Sequence, residues 1–195
     1  MTTFVNQPHK TAITRIKLSK PMRVVFDYGA IDKRCRVLDF GCGRGFDAEI
    51  LLHRGFNINR FDPYFFPEMP NGKFHLVTCS YVLNVLTNDN DNRQMVIRQA
   101  WSKVEDGGML FISVRDQKSI NNYATAGQWT PFTDGFISSE RKGTFQKGFT
   151  IEEIDTLIDS CQLNNVLATL TSPQPFNIKD CVTALIHKKV DNVTE

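Results

Sequence analysis

The sequence predicts an α/β protein built on a mainly parallel sheet, and three observations carry that expectation. Short β-rich runs alternate with helical segments along most of the chain. One of those runs, Arg36–Phe40, is short and apolar as a strand buried on both faces is, and it leads directly into a glycine-rich turn, Gly41-Cys-Gly-Arg-Gly45. The length of 195 residues suits one domain, and a chain of that size buries roughly 70% of its unfolded surface, enough for a proper core.

The elements follow in order. Residues 11–32 read as one or two helices, broken near Ser19-Lys20-Pro21 because proline fits the start of the second. After Arg36–Phe40 a helix is expected from Phe46 to Arg54, then a strand over Asn57–Phe61 and another over Phe74–Leu83, the latter preceded by the turn signal Pro70-Asn-Gly72. Asp91–Val104 carries apolar residues at helical spacing, Glu105-Asp-Gly-Gly108 ends that helix, and Met109–Val114 is a further strand. Residues 116–148, rich in Gly, Ser, Thr and aromatics, are expected to be irregular. Thr150-Ile-Glu-Glu153 is a capping box: Thr150 caps the helix start while Glu153 reaches back. Val166–Leu170 and Cys181–His187 close the fold as strands, with a proline-containing turn between them.

Composition excludes several classes. No apolar run approaches the roughly 20 residues of a membrane helix, and the polar start of the chain lacks the apolar core of a signal peptide. A soluble, cytoplasmic protein is expected. Five cysteines, Cys35, Cys42, Cys79, Cys161 and Cys181, are scattered without metal-ligand or redox spacing, so they read as reduced, packed residues and no metal is expected. The formal charge is +2, unevenly placed: residues 1–36 hold eight Lys or Arg against two Asp. Such a basic segment, with Arg15, Lys17, Lys20 and Arg23 in its middle, suits either a polyanionic partner such as nucleic acid or a solvated terminal helix.

The glycine turn indicates the ligand class. A strand that turns through alternating glycines into a helix lets backbone approach a nucleoside closely. A dinucleotide site spaces its glycines Gly-x-Gly-x-x-Gly and sets a pyrophosphate on the helix N-terminus. Here the spacing is Gly41, Gly43, Gly45, with Asp39 two residues before the first glycine. A buried acid there repels pyrophosphate and suits a ligand with a cationic amine. Asp62 ends the next strand, at the distance where an acid accepts ribose hydroxyls.

Val37-Leu-Asp-Phe-Gly-Cys-Gly-Arg-Gly45 resembles the first motif of class I methyltransferases. That resemblance implies a Rossmann-like sheet, S-adenosylmethionine as cofactor, and cofactor contacts from Asp39, Phe40, Gly41, Cys42, Gly43, Gly45, Asp62, Pro63, Ser80 and Tyr81. In the common fold of those enzymes a helix, a strand and another helix separate the second and fourth strands. Only residues 63–73 are available here, too few for that excursion, so the usual third strand is expected to be absent and the sheet shortened, with helices before it. The adenine wall then falls to Tyr64-Phe65-Phe66 or to the N-terminal helices. Cys79 lacks the Pro-Cys context of a carbon-5 methylating nucleophile and sits in an apolar strand. Asp62-Pro-Tyr-Phe65 follows the wrong strand for an amino-directed DNA methyltransferase motif.

Acceptor-orienting or catalytic candidates are Tyr81 and Asn84 after the fourth strand, Arg115 at the end of the fifth, and Gln146 and Lys147 before the capped helix, because ligands bind beyond the carboxyl ends of parallel strands. Asp116 and Thr144 lie beside them. No histidine stands out as a base. A closer resemblance comes from Thr11-Ala-Ile-Thr-Arg15, Leu18-Ser-Lys-Pro21, Leu38-Asp-Phe-Gly-Cys-Gly-Arg-Gly45, Asp62-Pro63, Tyr81-Val-Leu-Asn-Val85 and Thr144-Phe-Gln-Lys147, in that order. Together they look like the methyltransferases associated with DNA phosphorothioation, over roughly residues 11–160, and imply a DNA-related setting and a nucleic-acid acceptor. The expected organisation is a basic helical segment over residues 1–34 and a methyltransferase domain over 35–190, with 116–148 as an insertion. Alternatives are a small-molecule methyltransferase, a non-catalytic module that binds S-adenosylmethionine, and a nicotinamide dehydrogenase, which the glycine spacing disfavours.

Overall fold

A computed structural model of the chain describes residues 4–27, 31–87, 93–173 and 176–190. In chain order the elements are α1 (Lys20–Asp27), β1 (Val37–Phe40), α2 (Phe46–His53), β2 (Ile58–Phe61), β3 (Phe74–Ser80), α3 (Arg93–Ser102), β4 (Val104–Arg115), α4 (Gln117–Gly127), β5 (Thr130–Phe132), β6 (Gly135–Ser139), β7 (Thr144–Gln146), α5 (Ile151–Ser160), β8 (Val166–Thr171) and β9 (Cys181–Lys188). Six strands form the central sheet in the order β2-β1-β3-β4-β9-β8. β1 to β4 run parallel; β9 is antiparallel to both β4 and β8.

Burial explains the sequence pattern. Val37, Leu38, Asp39 and Phe40 are all buried, as a central parallel strand covered on both faces must be. Leu38 and Phe40 face a core shared with Ile97 and Trp101 of α3 and Ile154 and Ile158 of α5. Val37 faces the other core, with Met22 and Val25 of α1, Ala48 and Leu51 of α2, and Phe111 of β4. The result is three layers with helices on both faces. Chain order reverses at β1, with β2 on one side and β3 on the other. Such a switch leaves a crevice beyond the strand ends, and it sets the site.

The β2 edge bears out the shortened sheet. Residues 63–73 pass from β2 to β3 with no strand of their own in the sheet, and the only pairing there is an isolated bridge between Asp62 and Phe66.

Elsewhere the structure departs from the sequence expectations. Of residues 11–32, only α1 is an α-helix; Pro8–Thr11 forms a single 3-10 turn and residues 12–19 are irregular. The start of that second helix is as expected, with the Ser19 hydroxyl accepting from the Met22 amide at 3.4 Å. The expected helix over 11–32 also covers residues 28–30, that over 91–104 covers 91–92, and the final turn covers 174–175, all outside the described residues. Glu105-Asp-Gly-Gly108 does not end a helix; it is the start of β4, where register slips between Phe74 and Leu76 of β3. Glycine is needed at 108 because a Cβ there would meet the His75 carbonyl oxygen at 2.8 Å.

Residues 116–148 are ordered rather than irregular. Asp116 caps α4, accepting from the Ser119 amide at 2.7 Å, and β5, β6 and β7 form a separate antiparallel sheet. The helix was hidden because only Ile120 and Ala124, one turn apart, are buried along it. The strands are 3 to 5 residues long, too short for alternation to show. The Thr150 capping box forms as expected, with Thr150 Oγ1 accepting from Glu153 N at 3.2 Å and Glu153 Oε2 accepting from Thr150 N at 2.9 Å.

Candidate functional site

A cavity of about 860 Å³ opens at the switch point, within the range of small-ligand sites. Its floor is the turn after β1. Gly41 has φ +77°, and a Cβ on it would lie 2.3 Å from Cγ2 of Val82, so the turn closes against the segment after β3 only because glycine is there. A Cβ on Gly43, at φ +55°, would press on Ala12 of the N-terminal segment at 3.1 Å.

Four amides of this turn are already engaged. Gly41 N and Cys42 N both donate to the Phe61 carbonyl, at 2.8 and 3.1 Å, and Gly45 N donates to Cys42 O at 3.0 Å. Gly43 N donates to Asp62 Oδ2 at 3.0 Å. A phosphate cradle needs such amides free. The first turn of α2 carries Asp47 and Glu49, so its positive end is met by the chain's own acids. The turn is therefore shaped for a close-lying neutral or cationic ligand rather than for a pyrophosphate.

Asp39 is 4% exposed and lines the cavity. It pairs in register with Thr78 of β3, whose hydroxyl donates to its Oδ1 at 3.1 Å. Burial, then the nearby charge of Asp47, push its carboxyl up to about 7, and the Thr78 hydrogen bond opposes them only in part. Asp62 is held differently: its Oδ1 accepts from the amides of Tyr64 and Phe65 at 2.9 and 3.0 Å. Asp47 Oδ1 accepts from Ser19 N at 2.7 Å and so anchors the N-terminal segment across the cavity mouth. That segment is fixed again where Arg44 Nε donates to Ala12 O at 3.3 Å, and where His9 stacks on Tyr64 with ring centroids 3.8 Å apart. Pro8, His9, Ala12 and Tyr64 all line the cavity. The wall that a third strand would supply is replaced by two pieces of chain that hold each other.

Most residues expected at the cofactor come together: Asp39, Phe40, Gly41, Cys42, Gly43, Asp62, Pro63, Ser80 and Tyr81 line one cavity. Gly45 does not; it heads α2, where a Cβ would meet the ring of Phe66 at 2.9 Å. Phe65 is also away from the lining, under the Arg44 guanidinium at 5.2 Å. Burial, and then the charge of Asp39, push the Cys79 thiol up to about 12, which suits packing and not attack.

Of the acceptor candidates, Tyr81, Asn84, Arg115 and Gln146 line the cavity. Lys147 does not: it is 7% exposed and forms ion pairs with Glu153 at 2.8 Å and Asp134 at 3.7 Å. The Asn84 side chain is spent on backbone, donating to Lys147 O at 2.6 Å and accepting from Arg115 N at 3.0 Å. It ties the end of β4 to the end of β7. Asn84→Ala is expected to cost about 2–4 kcal/mol of stability, because it leaves a buried amide and a buried carbonyl unpaired; urea denaturation measures this, and an unchanged midpoint would remove the clamp role.

Tyr81 has φ +61°, and its hydroxyl lies 3.3 Å from Cys181 Sγ. Burial and the Cys181 contact raise its phenol, so it holds its proton at neutral pH. Sequence reasoning did not select Tyr123, Trp129, Ile120 or Met95 for this cavity, though all four line it. Tyr123, Ile120 and Trp129 belong to the stretch expected to be irregular, and Met95 falls among the apolar positions of the helical pattern over Asp91–Val104.

The basic segment is partly neutralised. Lys20 pairs with Asp180 at 3.3 Å and Arg34 with Asp32 at 2.6 Å, while Arg36 lies over the Phe74 ring. Among the described residues no helix is long and apolar enough to cross a membrane.

A family model described as a methyltransferase domain matches residues 12–166 of this chain. No curated protein matches the sequence. In fold the chain is similar to 1,6-didemethyltoxoflavin-N1-methyltransferase of Burkholderia thailandensis, solved with 1,6-didemethyltoxoflavin and S-adenosylhomocysteine bound: 15% identity over 87% of this chain and 76% of that one, TM-score 0.57. It is similar to a possible histamine N-methyltransferase from Thermotoga maritima, at 14% identity over 87% and 88% of the two chains, TM-score 0.54. A SAM-dependent methyltransferase from Methanosarcina mazei gives 14% identity over 85% and 97%, TM-score 0.58. At these identities the likenesses establish the fold.

Proposed function

This chain belongs to the methyltransferase-domain family, and from that premise we propose that it binds S-adenosylmethionine at the glycine turn and transfers the methyl group to an acceptor at the Arg115 end of the same cavity. The observation that carries the reading is Asp39: a buried carboxyl facing a cavity, beside a turn whose Gly41, Cys42, Gly43 and Gly45 amides are engaged. Such a site fits an adenosyl ligand with a cationic amine and does not fit a dinucleotide.

The residues present divide the ligand among them. Asp39 would meet the ammonium, Gly41 and Gly43 would let the nucleoside lie against backbone, and Asp62 would accept a ribose hydroxyl on Oδ2, which has a single amide partner. Tyr64, stacked on His9, would cover the adenine. When bound, S-adenosylmethionine supplies a methyl already activated on a sulfonium, so the protein's tasks are alignment and exclusion of water. Of the basic segment, residues 8–20 would cover the cofactor cleft, while α1 packs with the transferase body.

Two acceptor readings have separate support. The resemblance of the ordered motifs to those of DNA phosphorothioation-associated methyltransferases, with Arg15 and Lys20 on the cavity wall, supports nucleic acid. The neutralised charges of Lys20 and Arg34, and the lining of Ile120, Tyr123 and Trp129, support a small molecule. Methyl-labelled cofactor incubated with DNA, RNA and a metabolite extract tests both. Label entering one pool and lost in Asp39→Asn supports transfer. Cofactor binding with no label in any pool would favour a non-catalytic binding module.

The Asp39 carboxyl also sets a pH dependence. In the cofactor-free fold it keeps a proton that the unfolded chain releases near its ordinary value, so this group lowers stability as pH rises from about 4 to about 7. A cationic ligand selects the ionised form. Affinity for S-adenosylhomocysteine is therefore expected to rise with pH up to about 7 and then level, with a limiting slope of about tenfold per pH unit below it. Calorimetry at pH 6 and pH 8 checks this; equal affinities would place the ammonium away from Asp39.

A further inference from the structure

The cations on the cavity wall differ in what holds them: Lys20 pairs with Asp180 and Arg44 donates to Ala12 O, whereas Arg115 has no such anion among the described residues. Asp39, Asp47 and Asp62 lie around the glycine turn, whereas Arg115 lines the other end. The Arg115 guanidinium sits over the Tyr123 ring, 5.4 Å from its centroid, and is about half buried. Among the described residues no carboxylate is within ion-pairing distance of it, and the groups that bear on its charge are Tyr123, Tyr81 and Cys181. Arg93, the buried guanidinium of α3, shows the contrast: Asp134 and the carbonyls of Leu83 and Leu86 take its donors. Burial works against the Arg115 charge, and an anionic ligand would offset that effect. One donor goes to the Tyr123 hydroxyl, and the other N–H groups of the guanidinium remain to meet an oxyanion.

We propose that Arg115 docks an oxyanion carried by the acceptor, so that the substrate class is a planar ring bearing a carboxylate or phosphate. The inference rests on the reading of this cavity as a cofactor and acceptor site. Tyr123 and Trp129 offer ring faces for the planar part, and Ile120 closes the space between polar groups. A bound sulfonium adds a second positive charge, which further favours an anion over a neutral or cationic acceptor. In the transfer the acceptor's nucleophilic atom forms a bond to the methyl carbon. The carbon–sulfur bond breaks with its electron pair left on sulfur, and the acceptor's proton passes to solvent.

The test uses the full chain and ligand-observed NMR with matched probes: 4-hydroxybenzoate and phenyl phosphate, each against its neutral counterpart, 4-hydroxybenzamide and phenol. Each is measured with and without saturating S-adenosylhomocysteine. The expected result is binding of at least one anion, at least tenfold tighter than its neutral partner, in the presence or absence of the cofactor product, whose sulfur is uncharged. Arg115→Gln should abolish that preference and Arg115→Lys should keep part of it, so a failure of the first variant to fold leaves the second to read. The affinity for S-adenosylhomocysteine is the control for the cofactor reading: its absence in the wild type fails that reading and not the anion preference, which the product-free arm still measures. Equal binding of anions and neutrals, no binding of any anion at 10 mM, or a preference unchanged in Arg115→Gln each overturns the proposal. A single-stranded oligonucleotide separates the sources of phosphate: preference for it through Arg115 supports a nucleotide carrier, and binding that depends only on Arg15 and Lys20 counts against an Arg115 dock.

Discussion

Asp39→Asn is expected to weaken S-adenosylhomocysteine binding by about 10- to 100-fold, the range of a charge-assisted hydrogen bond worth about 1.5–3 kcal/mol, while leaving the cofactor-free protein at least as stable. The two parts have one cause. Asp39 is buried among other acids, with the Thr78 hydroxyl as its hydrogen-bond donor. Its negative charge at pH 8 burdens the empty fold, and a cationic ligand relieves it. Asparagine keeps the size and can still accept from Thr78, so packing is preserved. Calorimetry and thermal denaturation at pH 8 measure the two parts separately. A stability loss with unchanged affinity would make Asp39 a structural partner of Thr78 and nothing more.

Arg93→Ala is expected to lower stability by about 3–5 kcal/mol, because it strips the partner from a buried ion pair and leaves carbonyls unpaired. Arg93 donates to Asp134 at 2.5 Å, to Leu83 O at 3.1 Å and to Leu86 O at 2.5 Å, and Asp134 in turn approaches Lys147. This chain of charges fastens the small sheet of β5, β6 and β7 to α3 and α5. Burial alone would raise the Asp134 carboxyl, but Arg93 and then Lys147 hold it below the usual carboxylate range. Its contribution is present at neutral pH and is lost as pH falls through that lowered value. Urea denaturation at pH 7 checks the magnitude. A loss below about 1 kcal/mol, typical of an exposed pair, would contradict a supporting role.

The fold was legible where one physical signal dominated. The all-buried strand into alternating glycines, the Thr150 capping box and the 11-residue limit between Asp62 and Phe74 each left a single sensible structure. The gathering of Asp39, Asp62 and Tyr81 on one cavity followed from strand order. What escaped was tertiary. Gly107-Gly108 reads as a helix stop in isolation and is a strand entry because β3 passes beside it. Residues 117–127 form a helix with a narrow buried stripe, held by an aspartate cap that also reads as a turn. Lys147 has the residue type of a site group, and only its neighbours Asp134 and Glu153 show that it is a strut. Asn84 lines the cavity, yet both of its side-chain hydrogen bonds go to backbone. The Asn84 pairings span 31 and 63 residues and leave no local trace.

The central claim is that the turn after β1 takes an adenosyl ligand with a cationic amine. Calorimetric titration of the purified protein with S-adenosylmethionine, S-adenosylhomocysteine and NAD tests it most directly. Saturable one-to-one binding of the first two is expected, and none of NAD, whose pyrophosphate would meet engaged amides and the acids Asp39, Asp47 and Asp62. Binding of NAD, or no binding of either adenosyl ligand at pH 8 where Asp39 is ionised, would contradict it.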